Sequence, residues 1–305
     1  GAGPSGLACA SDLAQLGYEV SVYDRESKAG GMVFYGVPKY RLPYEWIELE
    51  VNKLKDIGVT FHFNKAFGNN LDLDYLRQNY EAVYIAIGEE EMMTLNIDGD
   101  HLPQVYTSAQ YLKLVTTDHM ETISNFKKVV VIGGGNTSMD CARSALRLGA
   151  EVLVSYRRRQ EDMPASKKEV EDAKKEGVKF MFLTSPIKII GSSHVEAVEM
   201  VQREVIGDAG QHRQETQLIE GSNFIVDADC IIMALGSKPN RTLRTKHLNL
   251  DIDYKGLVVT NSNFETSEER VYAGGDMVLG ADTVVRAIDT GKKAAKSIHQ
   301  KLSNN

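Results

Sequence analysis

The sequence predicts an α/β protein built from two copies of one β-turn-α-β unit, and three observations predict it. First, a glycine-rich turn, an apolar helix closed by glycine and a β run occur over 1–23, and recur with a preceding strand over 128–156. Second, two short apolar runs end on glycine, Ala82 to Gly88 and Asp229 to Gly236, as buried parallel strands do. Third, 305 residues with 42% hydrophobic and 25% charged side chains suffice for two medium domains, each with its own core.

In chain order, Gly1-Ala2-Gly3-Pro4-Ser5-Gly6 runs into a helix from Leu7 to Leu16 that Gly17 stops. Glu19 to Tyr23 is a strand ending at Asp24, Tyr44 to Ile57 a helix and Val59 to Phe63 a strand. The second copy opens with the strand Lys128 to Ile132, turns through Gly133-Gly134-Gly135-Asn136-Thr137-Ser138 and continues as a helix from Met139 to Leu148. Gly149 stops that helix, and Glu151 to Tyr156 is the next strand. Ser166-Lys167-Lys168-Glu169 has the spacing of a capping box and opens a helix that ends at Gly177. Val178 to Leu183 is a strand, alternating segments fill 186–226, and Val271 to Ala273 precedes a last helix from Thr283 to Leu302.

Composition removes several function classes. No apolar run approaches the roughly 20 residues of a membrane-spanning helix, and the chain opens on glycines, with no signal peptide visible. A net charge of −7 argues against nucleic acid as a partner. Cys9, Cys141 and Cys230 stand far apart, which argues against a disulfide framework, a zinc site or a redox dithiol and fits the cytoplasm. They read as small buried core residues.

The two turns have the residue types of dinucleotide-binding turns. In the first, Gly1 permits the tight bend, Gly3 lets backbone approach a pyrophosphate and Gly6 allows helix and strand to touch. The pyrophosphate would sit on free N–H groups at the start of the helix, by Pro4 and Ser5. Asp24, with Arg25 beside it, ends the second strand where a carboxylate accepts hydrogen bonds from an adenosine ribose diol. In the second turn Gly133 and Gly135 take the first two glycine roles, Ser138 replaces the third, Asn136 and Thr137 lie between them as further candidate contacts, and Asp140 lies on the helix that follows. Arg157 and Arg158 stand where the first copy has its acid. Two guanidiniums there bind a 2′-phosphate that a carboxylate would repel, the alternative being a solvated basic loop. The first site therefore suits FAD and the second NADPH.

Other segments would close the flavin site. Gly274-Gly275-Asp276 follows a strand, and Asp276 is placed for the ribityl or pyrophosphate side of FAD. Thr283 and Val284 open the last helix, whose free N–H groups would face the flavin pyrimidine edge. Gly31, Met32 and Gly36, with Arg41 beyond, form a loop that passes the isoalloxazine or serves as plain turns. Gly88 and Gly236 close the two buried strands beside the cofactors. No residue stands out as a general acid or base, as expected where catalysis is stacking and orientation of two cofactors. A dinucleotide fold also needs a central strand ahead of its first glycine, so the chain is expected to be part of a longer polypeptide.

These residues carry a family resemblance. The first turn, Gly30-Gly31-Met32 to Gly36-Val37-Pro38 with Arg41-Leu42-Pro43, Gly133 to Asp140, Tyr156-Arg157-Arg158 with Met163-Pro164-Ala165-Ser166, and Ala273-Gly274-Gly275-Asp276 resemble the small (beta) subunit family of NADPH-dependent glutamate synthase. The match also extends to the FAD/NADPH module of dihydropyrimidine dehydrogenase, and it covers essentially the whole chain. The resemblance implies two Rossmann-like dinucleotide-binding domains, an NADPH domain (119–243) inserted into an FAD domain (1–118 and 244–305) that lacks its first strand here. It implies hydride transfer from NADPH to FAD, then electron transfer to iron–sulfur clusters of an upstream cysteine-rich domain or of a partner subunit, since this sequence holds no such cysteines. The same module serves other acceptors, including those of electron-bifurcating transhydrogenases. A disulfide reductase would need a reactive cysteine pair, and a non-catalytic subunit would retain only the nucleotide-binding shell.

Overall fold

The structure, a computed structural model, describes residues 1–89, 91–117, 119–206 and 214–304. It divides into two compact units, one formed by Gly1–Tyr35, Lys39–Glu91 and Ser237–Asn305, the other by Gly36–Pro38 and Met92–Gly236. The second unit takes in 92–117, which the sequence analysis grouped with the first; the expected boundary residue 118 lies outside the described residues.

The first unit opens with α1 (Pro4–Gln15), β1 (Ser21–Tyr23), a four-residue α2 (Met32–Tyr35) and α3 (Tyr44–Asp56). Then come β2 (Thr60–His62), α4 (Leu73–Asn79) and β3 (Val83–Ile85). β1 and β2 pair in parallel. Ala10 of α1, Val22 of β1, Val51 and Leu54 of α3 and Val59 just before β2 pack as one cluster. α2, absent from the sequence expectation, turns because Phe34 and Tyr35 donate their N–H groups to the Gly31 carbonyl.

A short β4 (Glu91–Met92) leads into the second unit, which begins with β5 (Val105–Thr107) and α5 (Ser108–Thr116). β6 (Lys128–Ile132), α6 (Asn136–Arg147), β7 (Glu151–Tyr156), α7 (Lys167–Glu176) and β8 (Lys179–Phe182) follow. An antiparallel meander comes next, made of β9 (Thr184–Gly191), β10 (Val195–Ile206), β11 (Glu215–Leu218) and β12 (Phe224–Asp227), before β13 (Cys230–Met233) returns. The strands β5-β13-β6-β7-β8 form one parallel sheet, so β6 lies inside it. That placement explains the unbroken apolar run of β6. Val129 and Val131 face the helices with Met139, Ala142 and Ala145, while Val130 and Ile132 face the meander with Val198 and Met200.

After β14 (Ser237–Lys238) the first unit resumes with a π-helical turn, Leu243–His247, then β15 (Val271–Ala273), a four-residue α8 (Asp276–Leu279) and α9 (Val284–Ser303). β15 pairs with β3 in parallel, and no ladder among the described residues joins this pair to β1–β2. α9 crosses α1 so closely that a methyl group on Gly291 would lie 2.1 Å from the Ser5 carbonyl oxygen. Among the described residues no helix is long and apolar enough to cross a membrane.

Candidate functional site

Both glycine turns lead into twelve-residue helices whose first residue follows an uncapped glycine. α1 starts after Gly3 and α6 after Gly135, and neither glycine has a side chain to occupy the first-turn N–H groups. α4, α5, α7 and α9 instead have their first turn closed by Asp72, Thr107, Ser166 and Thr283. Open N–H groups and the positive end of the helix dipole at these two starts have the chemistry to accept an anion.

The space around each glycine matches that use. A methyl group on Gly1 would lie 2.2 Å from the Ala86 carbonyl oxygen, and one on Gly6 would lie 1.9 Å from the Gly1 carbonyl oxygen. These two positions are closed by backbone, which cannot yield as a flexible side chain can. A methyl group on Gly3, by contrast, meets only Gly31 Cα at 3.8 Å, and one on Gly135 meets only Pro164 Cγ at 4.0 Å. The second glycine of each turn therefore has the open face that a pyrophosphate needs.

In the first unit the turn is tied to its surroundings by three threads. Asp24 accepts the Ala2 N–H on Oδ2 at 2.6 Å and the Glu26 N–H on Oδ1 at 2.8 Å, so part of its capacity is already used by backbone. A carboxylate has about four acceptor positions, and the remainder can serve a ribose diol. Gly30 donates to the Ala2 carbonyl, and Gly31, at φ +54°, packs where a methyl group would sit 2.7 Å from Gly3 Cα. Ser5 differs from expectation in its side chain. Its hydroxyl is turned into the core, 2.6 Å from Tyr84 OH and 3.1 Å from Thr290 Oγ1, which leaves only its backbone for an anion. Thr290 Oγ1 also accepts the Gly275 N–H at 2.8 Å, which brings the Gly-Gly-Asp turn onto the start of α1.

Asp276 begins α8, and its carboxyl is pushed up to about 6 by burial first and then by the charges of Glu89 and Asp282. Gly88 takes φ +74° with open space on its Cα, and its carbonyl accepts from Arg244 Nη2 at 3.0 Å. Arg244 is wholly buried and also donates to the carbonyls of Gly256 and Met277. It joins three chain segments beside the Gly88 and Asp276 positions, and no motif in the sequence marks it. At α9, Thr283 Oγ1 accepts the Arg286 N–H at 3.4 Å, so the helix start is partly closed and Val284 and Val285 keep the exposed positions. Arg25 is exposed beside Glu26, Met32 and Arg41 are exposed, and Gly36 is grouped with the second unit.

In the second unit Ser138 occupies the third-glycine position, fully buried, and donates to the Ala234 carbonyl. Asn136 and Thr137 are exposed at the helix start, Asp140 is buried on α6, and Gly236 lies three residues beyond β13 with open space at its Cα. The Met163-Pro164-Ala165-Ser166 stretch closes over the turn. Ala165 donates to the Gly134 carbonyl at 3.0 Å and Ser166 to Asn136 Oδ1 at 2.9 Å. The Tyr156 ring lies so close to Gly134 that a methyl group there would be 2.5 Å away, and its hydroxyl donates to the Asp162 carbonyl. Ser166 caps α7 through Glu169 N–H, but the reciprocal half of the expected capping box is absent. The Ser166 N–H goes to Asn136, and the Glu169 carboxylate pairs with Arg143 at 2.9 Å.

Arg157 follows β7 with an exposed guanidinium that has no partner among the described residues, and Arg158 donates Nε–H to the Gln214 carbonyl at 3.1 Å. Arg159 is claimed by Glu161 and Asp162, both at 3.1 Å. The three cysteines are free and buried, and burial pushes each thiol up, far from the thiolate that disulfide chemistry requires.

Comparison with known proteins agrees with this geometry. The sequence profile described as "Pyridine nucleotide-disulphide oxidoreductase" matches residues 1–291. The small chain of NADPH glutamate synthase from Escherichia coli K12 is 36% identical over 98% of this chain and 66% of its own length. That from Azospirillum brasilense is 39% identical over 98% and 65%. A Moorella thermoacetica protein described as "NADP(+)-dependent formate dehydrogenase subunit beta" is 35% identical over 99% of this chain and 43% of its own length. The chain thus spans less than two thirds of these relatives. Among solved structures, Mycobacterium tuberculosis FprA in complex with NADPH superposes with a TM-score of 0.79 at 20% identity, covering all of this chain and 84% of that one. Thioredoxin reductase from T. acidophilum gives 0.75 at 19% identity, covering 99% and 97%. Both share the fold.

Proposed function

Since the chain belongs to the pyridine nucleotide-disulphide oxidoreductase family, we propose that it is the NADPH-to-FAD module of an oxidoreductase whose electrons leave for an acceptor outside these residues. FAD and a pyridine nucleotide are the cofactors of this family and of this chain. The observation that carries the assignment of each to its site is the contrast at the ends of two equivalent strands. Asp24 follows β1 in one unit, and Arg157, which has no side-chain partner among the described residues, and the backbone-anchored Arg158 follow β7 in the other. A carboxylate accepts from a ribose diol, and guanidiniums take a 2′-phosphate.

The bound cofactors supply hydride transfer from nicotinamide to flavin; the residues of the chain bind and orient them. Gly1, Gly3 and Gly6 shape the FAD pyrophosphate cradle, and the first N–H groups of α1 neutralise it. Gly133 and Gly135 do the same for NADPH at the start of α6. Asp276, at the start of α8, would hold the ribityl or pyrophosphate side of FAD, and the first N–H groups of α9 would face the flavin pyrimidine edge. None of these roles requires a proton donor of tuned pKa.

The acceptor we favour is an iron–sulfur cluster of a glutamate-synthase-like complex, held by a partner subunit or an upstream domain, because two relatives of that name match nearly the whole chain. The Moorella relative favours a second reading, the same module serving a different acceptor. The purified chain is expected to be yellow, and NADPH added without oxygen should bleach its visible flavin band. NADH should do so far more slowly. Mixing the reduced protein with a cluster-bearing protein under argon should restore the band. A colourless chain that takes up no added FAD would leave a non-catalytic subunit as the better description.

A further inference from the structure

The loop after β7 is held by a segment remote in sequence. Leu183 donates its N–H to the Arg158 carbonyl at 3.2 Å, and Arg203 donates its N–H to the Leu183 carbonyl at 2.7 Å. Thr216 on β11 donates its hydroxyl to the Arg157 carbonyl at 3.3 Å. The Arg203 guanidinium on β10 brackets that threonine, giving Nε–H to Thr216 Oγ1 at 2.8 Å and Nη2–H to the Thr216 carbonyl at 2.5 Å. Its Nη1 reaches Ser185 Oγ at 3.3 Å.

This arrangement fixes the direction of one hydrogen. A guanidinium only donates, so Thr216 Oγ1 must accept from Arg203, and its single proton is left for the Arg157 carbonyl. The chain is therefore directed from Arg203 through Thr216 to the backbone of Arg157. The electrostatics point the same way. Burial first, and then the charges of Arg157 and Arg158, hold the Arg203 guanidinium below its usual range. All three of its partners are neutral oxygens, and no carboxylate bonds to Arg157, Arg158 or Arg203 among the described residues. Three clustered like charges with no carboxylate partner among the described residues repel one another, and a bound dianion removes that repulsion. Arg203 has five N–H groups and uses three in these bonds, so among the described residues two have no acceptor and can serve an anion.

We infer that Arg203, acting through Thr216, is the positioning residue of the Arg157–Arg158 clamp and sets the preference of this unit for 2′-phosphorylated adenosine. The inference rests on the assignment of NADPH to the second turn.

Calorimetric binding of adenosine 2′,5′-bisphosphate and of adenosine 5′-monophosphate to the FAD-loaded chain tests it without turnover. Arg203→Met should weaken the bisphosphate about tenfold and the monophosphate less than about twofold. Thr216→Val, which keeps the charge and removes the hydroxyl, should weaken the bisphosphate selectively by about threefold to fivefold. Arg203→Lys, which keeps the charge but cannot bracket Thr216, should fall between wild type and Arg203→Met. If Arg203→Met does not fold, the other two variants decide. Equal loss of both ligands, or no loss of either, in Thr216→Val and Arg203→Lys overturns the inference. Arg157→Ala separates the two levels. Selective loss there with unaffected Arg203 and Thr216 variants removes only the positioning role, whereas unselective loss in Arg157→Ala removes the cofactor assignment itself.

Discussion

The first and second glycine turns reach the same backbone shape by different means. At the third position the first turn has Gly6, where a methyl group would lie 1.9 Å from the Gly1 carbonyl oxygen; the second has Ser138, whose hydroxyl fits and donates to the Ala234 carbonyl. At the end of the following strand the first turn has Asp24, bonded back to Ala2 within the turn itself. The second has Arg157, whose guanidinium has no partner among the described residues, and the turn is closed from outside by Ala165 and Ser166. A turn that is locked by its own acid has its ligand chemistry built in. A turn closed by remote segments leaves the reading of the ligand to residues that can change independently of the phosphate cradle.

The comparison breaks most visibly at the third position. Gly6→Ser should cost about 3 kcal/mol or more and empty the FAD site, because backbone cannot move aside. Its melting temperature and flavin content per chain check this, and a Gly6→Ser protein that stays yellow and stable would refute the closed-cradle account. Next in size, Arg157→Ala should weaken NADPH by about 1.5–3 kcal/mol relative to NADH, read as the ratio of kcat/KM values. Equal losses would show that Arg157 does not read the 2′-phosphate.

Acid should separate the two units. Arg143 first, opposed by burial and helped by Arg147, holds the Glu176 carboxyl down at about 2. Its folded value is below the ordinary 4.5, so its contribution is complete above that pH and is lost as pH falls toward 2. The contribution is about 1–2 kcal/mol after allowance for solvent screening, and Glu176→Gln should remove that acid limb from the melting curve. Asp276 has the opposite sign. Its folded value is raised, so its ionised form disfavours the fold above about 6 and that penalty is relieved as pH drops toward 3.8. The flavin-free chain should therefore gain slightly in melting temperature between neutral pH and pH 5, and Asp276→Asn should flatten the gain. The smallest effect is Ser138→Gly, which restores the glycine pattern and should cost less than about 1 kcal/mol in thermal melts, since only one hydrogen bond is lost.

Much of the fold is legible because its signals are local. β6, β7 and β15 have the ends read from their apolar runs, and Gly17, Gly149 and Gly177 close helices at positive φ. α5 escaped although Thr107 and Gln110 form a complete capping box, a pattern legible in Thr-Ser-Ala-Gln. α2 is four residues long and exists because of one carbonyl, which no periodicity reports. Gly1 and Gly6 follow from spacing alone, since each is forced by a backbone clash, against the Ala86 carbonyl or within the turn itself. Arg244 and Arg203 were not legible for the opposite reason. Their partners are carbonyls and hydroxyls 12 to 156 residues away, and an arginine in a strand or turn looks the same whether it faces water or a backbone oxygen. Ser5 illustrates the remaining gap, a residue of the expected type whose side chain is directed into the core by Tyr84 and Thr290.

The buried thiols turn the chain into its own reporter. Cys9 lies on α1 in the first unit, whereas Cys141 on α6 and Cys230 on β13 lie in the second, all at 2% exposure or less. A thiol reagent reacts with none of them until the surrounding core opens. The rate at which each cysteine is labelled therefore clocks the opening of its own unit, and FAD and NADPH added separately should slow different clocks.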